Sequence, residues 1–251
     1  MGIQEEATEI GAVIIGDELL TGKRRDRHQA NLTEALAERG LELAWVRIVG
    51  DNPRLLAQTF RETLENGAEV FSFGGIGATP DDRTRACLAA ALERPLVRHT
   101  EFVGLLERRF GAETYPHRVR MAELPEGARL IPNPINGIPG FSCGRHHCVP
   151  GFPAMAEPMA RWVLEQLFSG HEAAGGPVEQ TLVLEDVPES SLVPTLEALE
   201  SAFPDLRISC LPRMDRGRPR VELGVRGPHA RVTEAYSHLR QLLVEDGFRP
   251  Y

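Results

Sequence analysis

Residues 70–82 read Val70-Phe71-Ser72-Phe73-Gly74-Gly75-Ile76-Gly77-Ala78-Thr79-Pro80-Asp81-Asp82. The apolar run before the first glycine is typical of a strand that is buried on both faces of a parallel sheet. The glycines predict a tight turn. Thr79, Pro80 and Asp82 then have the spacing of a helix start, with an N-cap, a first-turn proline and a capping-box acid. We therefore predict a strand, a glycine turn and a helix in succession, with the helix continuing to about Glu93.

The same alternation of apolar strands and amphipathic helices precedes this stretch. The predicted elements are a strand over residues 10–15, a helix over 26–40, a strand over 43–49 and a helix over 53–66. Consecutive parallel strands need right-handed crossovers, which place helices on both faces of the sheet. The sequence therefore predicts a doubly wound α/β domain with a mostly parallel central sheet.

Further elements follow the predicted helix that ends near Glu93. They are a helix over residues 100–110, a Pro-, Asn- and Gly-rich segment over 115–139, a hairpin over 141–149 that turns near Gly144, and a helix from Pro153 to about Phe168. Residues 169–177 have linker composition, so we predict a first domain over 1–169 and a second over 177–251. The second domain reads as a small α+β unit, with strands over 181–187, 206–211 and 221–225 and helices over 191–203 and 230–244.

Composition limits the classes of protein that need to be considered. The 28 basic and 36 acidic residues give a net charge of −8, which argues against a protein that grips nucleic acid. Four cysteines in 251 residues do not make a disulfide scaffold, and residues 1–6 lack a basic-then-apolar secretory pattern. No apolar stretch approaches the length of a membrane span. We expect a cytoplasmic protein without nucleic-acid or membrane partners.

The glycine turn has two interpretations. A glycine turn between a buried strand and a helix presents backbone N–H groups and the positive end of the helix to phosphates, and only residues without a bulky Cβ permit the close approach. Alternatively, the capping box from Thr79 to Asp82 explains the helix start without any ligand. Spacing alone does not decide between the two interpretations.

Three acidic residues, Asp17, Asp51 and Asp82, follow or closely follow strand ends. Such ends can converge on one crevice in a doubly wound fold, where carboxylates suit Mg²⁺ or another divalent ion that bridges phosphate oxygens. The simpler interpretation is that Asp51 and Asp82 only cap helices.

Two other polar stretches are given structural interpretations. The run Cys143–Cys148 contains two thiols and two imidazoles, but neighbouring side chains in a hairpin alternate between faces, so we predict a hairpin without metal. The charges of Asp26–His28 and His117–Arg120 are interpreted as solvated loop charges.

Five motifs in order carry a resemblance to a known family. They are residues 14–20 (Ile-Ile-Gly-Asp-Glu-Leu-Leu), 49–53 (Val-Gly-Asp-Asn-Pro), 74–84 (the glycine turn through Thr84), 132–134 (Pro-Asn-Pro) and 150–153 (Pro-Gly-Phe-Pro). In this order they resemble the MoaB/Mog fold of molybdenum-cofactor proteins, and most of all the N-terminal region of the competence/damage-inducible protein CinA.

The resemblance implies a three-layer α/β sandwich that binds molybdopterin or a related phosphorylated nucleotide at the carboxyl edge of its sheet. It implies catalytic roles for Asp51 and Asp82 and a metal site of Asp17, Asp51 and Asp82. The implied ligand- or phosphate-binding residues are Gly16, Asp17, Glu18, Gly74, Gly75, Gly77, Thr79, Asp81, Thr84, Asn133, Pro150 and Gly151. The resemblance also implies a metal-dependent pyrophosphatase acting on ADP-ribose or FAD, and assembly as a dimer or trimer.

Several residues depart from the family pattern. Ile76 stands where threonine or leucine is usual, and Ala78 where proline is common, which favours the CinA branch over dedicated cofactor synthesis. Met121-Ala122 replaces a usual Gln-Ala step, which weakens a transfer of pyrophosphatase activity. The chain stops at Tyr251 without the amidohydrolase domain of CinA, so we do not expect nicotinamide-nucleotide deamidation. The alternatives are a non-catalytic binding or scaffold protein and a molybdenum-cofactor biosynthesis protein.

Overall fold

The computed structural model describes residues 9–169, 176–215 and 217–249. Contacts divide the chain into two compact units, Met1–His171 and Glu172–Tyr251. Residues 1–6, on which the expected lack of a secretory signal rests, and most of the predicted linker lie outside the described residues. Within the described residues, no helix is both long and apolar enough to cross a membrane.

The first unit alternates strands and helices as predicted. Its strands are β1 (Ile10–Ile15), β2 (Trp45–Val49), β3 (Glu69–Phe73), β4 (Leu96–Arg98), β5 (Glu123–Pro125), β6 (Arg129–Ile131), β7 (Gly140–Cys143) and β8 (His146–Val149). Its helices are α1 (Asp17–Leu20), α2 (His28–Ala37), α3 (Pro53–Glu65), α4 (Thr84–Ala91), α5 (Thr100–Phe110) and α6 (Pro153–Leu167), with 3₁₀ turns at Gly111–Thr114 and Arg118–Ala122.

Six strands form the central sheet in the order β2-β1-β3-β8-β7-β6. The pairs β1–β2, β1–β3 and β3–β8 are parallel, whereas β7 is antiparallel to both β8 and β6. Strand β1 is wholly buried, and its side chains alternate between two cores: Val13 and Ile15 pack with α3, α4 and α5, whereas Ile10, Ala12 and Ile14 pack with α2 and α6. The predicted three-layer α/β fold with a mostly parallel sheet is therefore confirmed.

Local boundaries differ from the predictions where long-range contacts decide them. Helix α4 begins at Thr84, so the prediction of a helix start at Thr79 is wrong. Residues 17–20, for which no helix or strand was predicted, form the single turn α1. The short antiparallel pair β4–β5 was not predicted, because three-residue strands carry no readable alternation.

The second unit consists of β9 (Val178–Glu185), α7 (Val193–Ala202), β10 (Arg207–Asp215), β11 (Arg218–Gly227) and α8 (His229–Glu245). Its antiparallel sheet has the order β10-β11-β9. One core joins the sheet to both helices through residues such as Leu184, Leu199, Leu223 and Leu239. Strands β10 and β11 extend beyond their predicted ends, because polar residues on the sheet face away from the helices obscure the alternation there.

Candidate functional site

The five motifs that carry the family resemblance all lie at one edge of the central sheet. Strands β2, β1, β3 and β8 run parallel, and β6 runs in the same direction because both β6 and β8 are antiparallel to β7. The segments that follow these five strands are 50–51, 16–17, 74–77, 150–151 and 132–134. Strand order reverses between β1 and β3, and ligands of open α/β sheets bind at such a switch point.

The glycine turn lies at this reversal and needs its glycines. Gly74 has φ +103°, and a Cβ there would lie 2.6 Å from the carbonyl oxygen of Ile15 in the neighbouring strand. A Cβ on Gly151, by contrast, would lie at an ordinary contact distance of 3.4 Å from the Cα of Gly74. Within the described part of the chain, the backbone N–H groups of Gly75, Ile76 and Gly77 donate to no protein acceptor. Successive free N–H groups of this kind form an anion-binding concavity.

Thr79 and Asp82 close the loop that precedes α4 instead of capping that helix. The Asp82 Oδ2 accepts hydrogen bonds from the Thr79 backbone N–H at 2.8 Å and from its hydroxyl at 2.5 Å. The Asp82 N–H in turn donates to the Thr79 carbonyl oxygen at 3.1 Å. The interpretation of Asp82 as a helix cap is therefore wrong, because this closed turn separates it from the first residue of α4.

Thr84, the first residue of α4, holds the glycine turn by two hydrogen bonds. Its buried hydroxyl donates to the Gly74 carbonyl oxygen at 2.8 Å, and its backbone N–H donates to the Gly75 carbonyl oxygen at 3.0 Å. The hydroxyl is thus engaged by the protein backbone. Thr84 shapes the predicted phosphate site and does not present its hydroxyl there.

Asp17 and Asp51 hold two neighbouring strand ends together. The Asp17 N–H donates to Asp51 Oδ2 at 3.1 Å, and the Asp51 N–H donates to Asp17 Oδ1 at 3.2 Å. Helix α3 is capped by Asn52, whose Oδ1 accepts from the N–H groups of Arg54 and Leu55. The interpretation of Asp51 as a helix cap is therefore also wrong.

The predicted three-carboxylate metal site does not form. Asp17 and Asp51 are neighbours, but the carboxylate of Asp82 is turned toward Thr79. Among the described residues, no group of three or more His, Cys, Asp and Glu side chains could hold a metal ion. Partial burial raises the pKa of Asp51, and the negative charges of Asp17, Glu18 and Asp81 add to that rise. A carboxyl group with a raised pKa is a candidate for proton transfer.

Asp51→Asn is expected to raise the free energy of unfolding at neutral pH by on the order of 0.5 kcal/mol, because the amide keeps an acceptor and removes an unfavourable charge. A raised pKa means that the carboxyl contributes stability below its ordinary pKa and loses that contribution as the pH rises through the raised value. The advantage of the variant should therefore shrink as the pH falls. Urea unfolding of both proteins across the acid range measures the difference.

Glu62→Gln on α3 is the control, because the pKa of Glu62 is shifted in the opposite direction from that of Asp51. Hydrogen bonds from Gln58 and Arg47 lower the pKa of Glu62, so its contribution is present at neutral pH and is lost in acid. This control should be less stable than the wild type at neutral pH. A gain for Asp51→Asn that persists unchanged into acid would show that charge is not its cause.

His28 is a residue of this edge that the solvated-loop interpretation missed. Its ring is buried, stacks on Phe73 with centroids 4.6 Å apart, and has Nε2 3.3 Å from the Gly151 carbonyl oxygen. Burial lowers its pKa. Asp26 caps α2 by accepting from the N–H groups of residues 28 and 29. The spacing of His28 with Leu32 and Ala35, one buried helix stripe, was the signal that could have found it.

A cleft of about 90 Å³ opens beside His28. Arg24, Arg25 and Arg27 line one part of it, and Gly151 and the exposed Phe152 line another. Glu18 and Asp26 line it as well, so the cleft combines charges of both signs with an aromatic ring near the glycine turn.

Arg85 is the second residue that sequence reasoning missed. Its buried guanidinium donates to the carbonyl oxygens of Gly77 at 2.6 Å, of Glu123 at 3.3 Å, and of Arg120. Burial lowers its pKa. Arg85 thus connects Gly77, at the end of the glycine turn, to Arg120 before β5 and to Glu123 at the start of β5. Its spacing with Leu88 and Ala89 on the buried side of α4 was the available signal.

Asn133 closes its own loop at the same edge. Its Oδ1 accepts from the N–H of Ile135 at 3.0 Å, and its Nδ2 donates to the Ile138 carbonyl oxygen at 3.0 Å. Pro150 and Gly151 lead from β8 into α6, and the carbonyl of Gly151 contacts His28. Of the remaining predicted residues, Gly16 and Glu18 flank Asp17 after β1.

Comparisons with known proteins show the family of the chain. Residues 11–170 match the family described as "Probable molybdopterin binding domain". A CinA-like protein of Anaeromyxobacter dehalogenans is 32% identical over 204 residues, covering 77% of this chain and 50% of that protein. A protein of Aeropyrum pernix is 29% identical over 239 residues, covering 92% and 89%. The chain thus spans about half the length of the CinA-like relatives it matches.

A solved structure shares the fold of the first unit. It is the protein CinA, of unknown function, from Thermoplasma acidophilum, with 26% identity and a TM-score of 0.58, covering 64% of this chain and 97% of that one. The ordered motifs, the observed fold and the family match lead to the same assignment. The chain belongs to the MoaB/Mog-type molybdopterin-binding domain family and is related to CinA.

Proposed function

We propose that the first unit binds a phosphorylated pterin or nucleotide at the carboxyl edge of its central sheet. The observation that carries the proposal is the run of unengaged backbone N–H groups at Gly75, Ile76 and Gly77, held open by Thr84 and Arg85. N–H groups that are already fixed in place bind an anion at little cost in conformational entropy. Family membership supports a pterin-type ligand.

The neighbouring cleft of about 90 Å³ is too small for a whole pterin or nucleotide, so it would take only one part of a ligand whose phosphate lies at the glycine turn. A phosphate bound by the glycine turn leaves Arg25 and Arg27 for a second anionic group, or Phe152 for a planar ring, whereas Arg24 lies 3.9 Å from Glu18. Arginine forks suit phosphates, and aromatic faces suit stacked heterocycles. Asp51 follows β2, on the opposite side of β1 from β3 and β8, and bonds to Asp17 at the end of β1.

Thermal-shift titration with molybdopterin, ADP-ribose, FAD and AMP tests binding. A ligand at a hundred times its dissociation constant should stabilise the fold by about 2.7 kcal/mol. Arg27→Ala should weaken that ligand about tenfold, whereas Arg61→Ala, an exposed arginine of α3 outside the cleft, should not. If none of the four ligands stabilises the protein, or both variants weaken the ligand equally, the proposed site is wrong.

Hydrolysis of a pyrophosphate bond is the second candidate, and the raised pKa of Asp51 favours it. In this candidate Asp51 orients a water molecule and takes its proton beside the bound phosphates. The described side chains do not supply a three-ligand metal site, so no step is assigned to a metal. The protein is incubated with ADP-ribose or FAD, with and without Mg²⁺, Mn²⁺ or Co²⁺. The wild type should release AMP, and the Asp51→Asn variant should release none.

A non-catalytic ligand-binding or scaffold protein is the alternative from a different class. Stabilisation by a ligand without release of AMP under any metal condition would establish it. Self-association as a dimer or trimer belongs to the same proposal, and sedimentation of the full chain with and without the ligand measures it.

A further inference from the structure

A hydrogen-bonded row of three side chains lies on the sheet away from the glycine turn. The Ser142 Oγ on β7 lies 2.8 Å from Nδ1 of His147 on β8, and the His147 Nε2 lies 2.9 Å from Oε2 of Glu69 at the start of β3. Arg145 lies 3.4 Å from the other Glu69 oxygen. The row crosses three adjacent strands, so the sheet itself fixes its geometry.

The partners determine the direction of each hydrogen bond. A glutamate carboxylate only accepts, so Nε2 of His147 carries the proton that it shares with Glu69. When Nε2 carries the only ring proton, Nδ1 is an acceptor, and the Ser142 hydroxyl donates to it. A serine that donates to an imidazole, which is in turn oriented by a carboxylate, is the arrangement of an activated nucleophile. Here the two ring nitrogens are exchanged relative to chymotrypsin, which leaves the proton balance unchanged.

The adjacent histidine provides an internal comparison. His146 also contacts a hydroxyl, with Nε2 2.8 Å from the Oγ1 of Thr63, and it is fully buried. Its Nδ1, however, has no partner among the described residues. His146 therefore has a hydroxyl without an orienting carboxylate, which is the pattern expected of a core histidine.

Ser142 and His147 line a cavity of about 240 Å³, although both residues are more than nine-tenths buried. Its apolar wall is formed by Leu130, Trp162, Val163 and Leu167. Arg129 and Gln166 line the same cavity and add polar N–H groups to its wall. The volume is below the roughly 300–1,000 Å³ of pockets for drug-sized ligands, so only a small molecule fits.

We propose that this cavity is a second, separate site, in which Ser142 is the nucleophile for hydrolysis of small, mainly apolar carboxylic esters. His147 is the general base and acid, and Glu69 is a positioning residue. The proposal does not depend on ligand binding at the glycine turn.

The reaction balances with water as the only co-reactant. The Ser142 hydroxyl proton passes to Nδ1 of His147 as Oγ forms a bond to the ester carbonyl carbon. The bond from that carbon to the alkoxy oxygen breaks, and His147 returns the proton to the leaving alcohol. A water molecule, deprotonated by His147, then attacks the acyl-serine ester. The carboxylic acid leaves, and Ser142 recovers its proton.

Labelling of the wild-type full chain with a small fluorophosphonate tests the nucleophile without any substitution. We expect one adduct, located by peptide mass mapping on Ser142, and none on Thr63. An intact protein that remains unlabelled after prolonged exposure, or that is labelled elsewhere, overturns the proposal.

Hydrolysis of p-nitrophenyl acetate tests the reaction. Ser142→Ala should lower the rate by about a hundredfold or more. Glu69→Gln should lower kcat and shift its pH profile while changing KM little, a pattern that a purely structural role would not give. Ser201→Ala, an exposed serine of α7, is the control and should match the wild type. Equal rates for Ser142→Ala and the wild type would refute the proposal, whatever the outcome of the phosphate-ligand tests.

Discussion

Gly74→Ala is expected to lower the free energy of unfolding of the first unit by about 2–5 kcal/mol. Two costs add here. The backbone of Gly74 has φ +103°, which an L side chain rarely adopts, and the new Cβ would lie 2.6 Å from the Ile15 carbonyl oxygen. This neighbour is backbone of the central strand β1, so it cannot rotate away. Urea unfolding followed by circular dichroism measures the loss.

Gly67→Ala is the matched control for the conformational cost alone. Gly67 has φ +71°, but a Cβ there would meet nothing within 4 Å. It should cost only about 1 kcal/mol or slightly more. Similar losses for the two variants would show that the close packing of β1 against the glycine turn contributes nothing. Any folded fraction of Gly74→Ala should also bind the phosphorylated ligand more weakly, since the turn has moved.

Arg85→Leu is expected to lower the free energy of unfolding by about 2–4 kcal/mol, because three backbone carbonyl groups lose their donor. These carbonyls belong to Gly77, Arg120 and Glu123, so the glycine turn would lose its tie to β5. Two effects keep the loss moderate: water can reach parts of these segments, and the Arg85 Nε has no partner among the described residues. The ligand-induced thermal shift should fall as well.

Arg83→Leu is the control for loss of a positive charge at the start of α4. Arg83 is exposed and makes no side-chain cap hydrogen bond, so its replacement should change stability by no more than about 0.5 kcal/mol. If Arg85→Leu is as mild as Arg83→Leu, the buried guanidinium does not hold the turn. If it destabilises the fold but leaves the ligand affinity of the folded protein unchanged, the turn keeps its shape without that tie.

Elements with strong local patterns could be predicted from the sequence. The helix over residues 100–110 has the predicted bounds, because its amphipathic stripe and its ends are local signals. The apolar runs of β1 and β3 correctly indicated strands buried on both faces. The hairpin of β7 and β8 turns at Gly144, as expected from the glycine.

The candidate site was only partly predictable. Ordered motifs placed the correct segments at strand ends, and parallel pairing brought them to one edge. The partners of individual side chains could not be inferred. The carboxylates of Asp17 and Asp51, for example, each accept a hydrogen bond from the backbone N–H of the other residue, 34 positions away. His28 and Arg85 were missed because polar residues within a buried helix stripe look like solvated charges until their acceptors are known.

By itself, the sequence determined the order of strands and helices, the mostly parallel sheet and the family, because apolar periodicity and glycine positions act over a few residues. Only the tertiary structure decided what the stretch after Phe73 does. The spacing of Thr79 and Asp82 suits a helix cap and a closed loop equally well. Bonds from Thr84 and Arg85 to the glycine turn, together with the close approach of β1, select the loop. Those contacts exist only once the strands have paired.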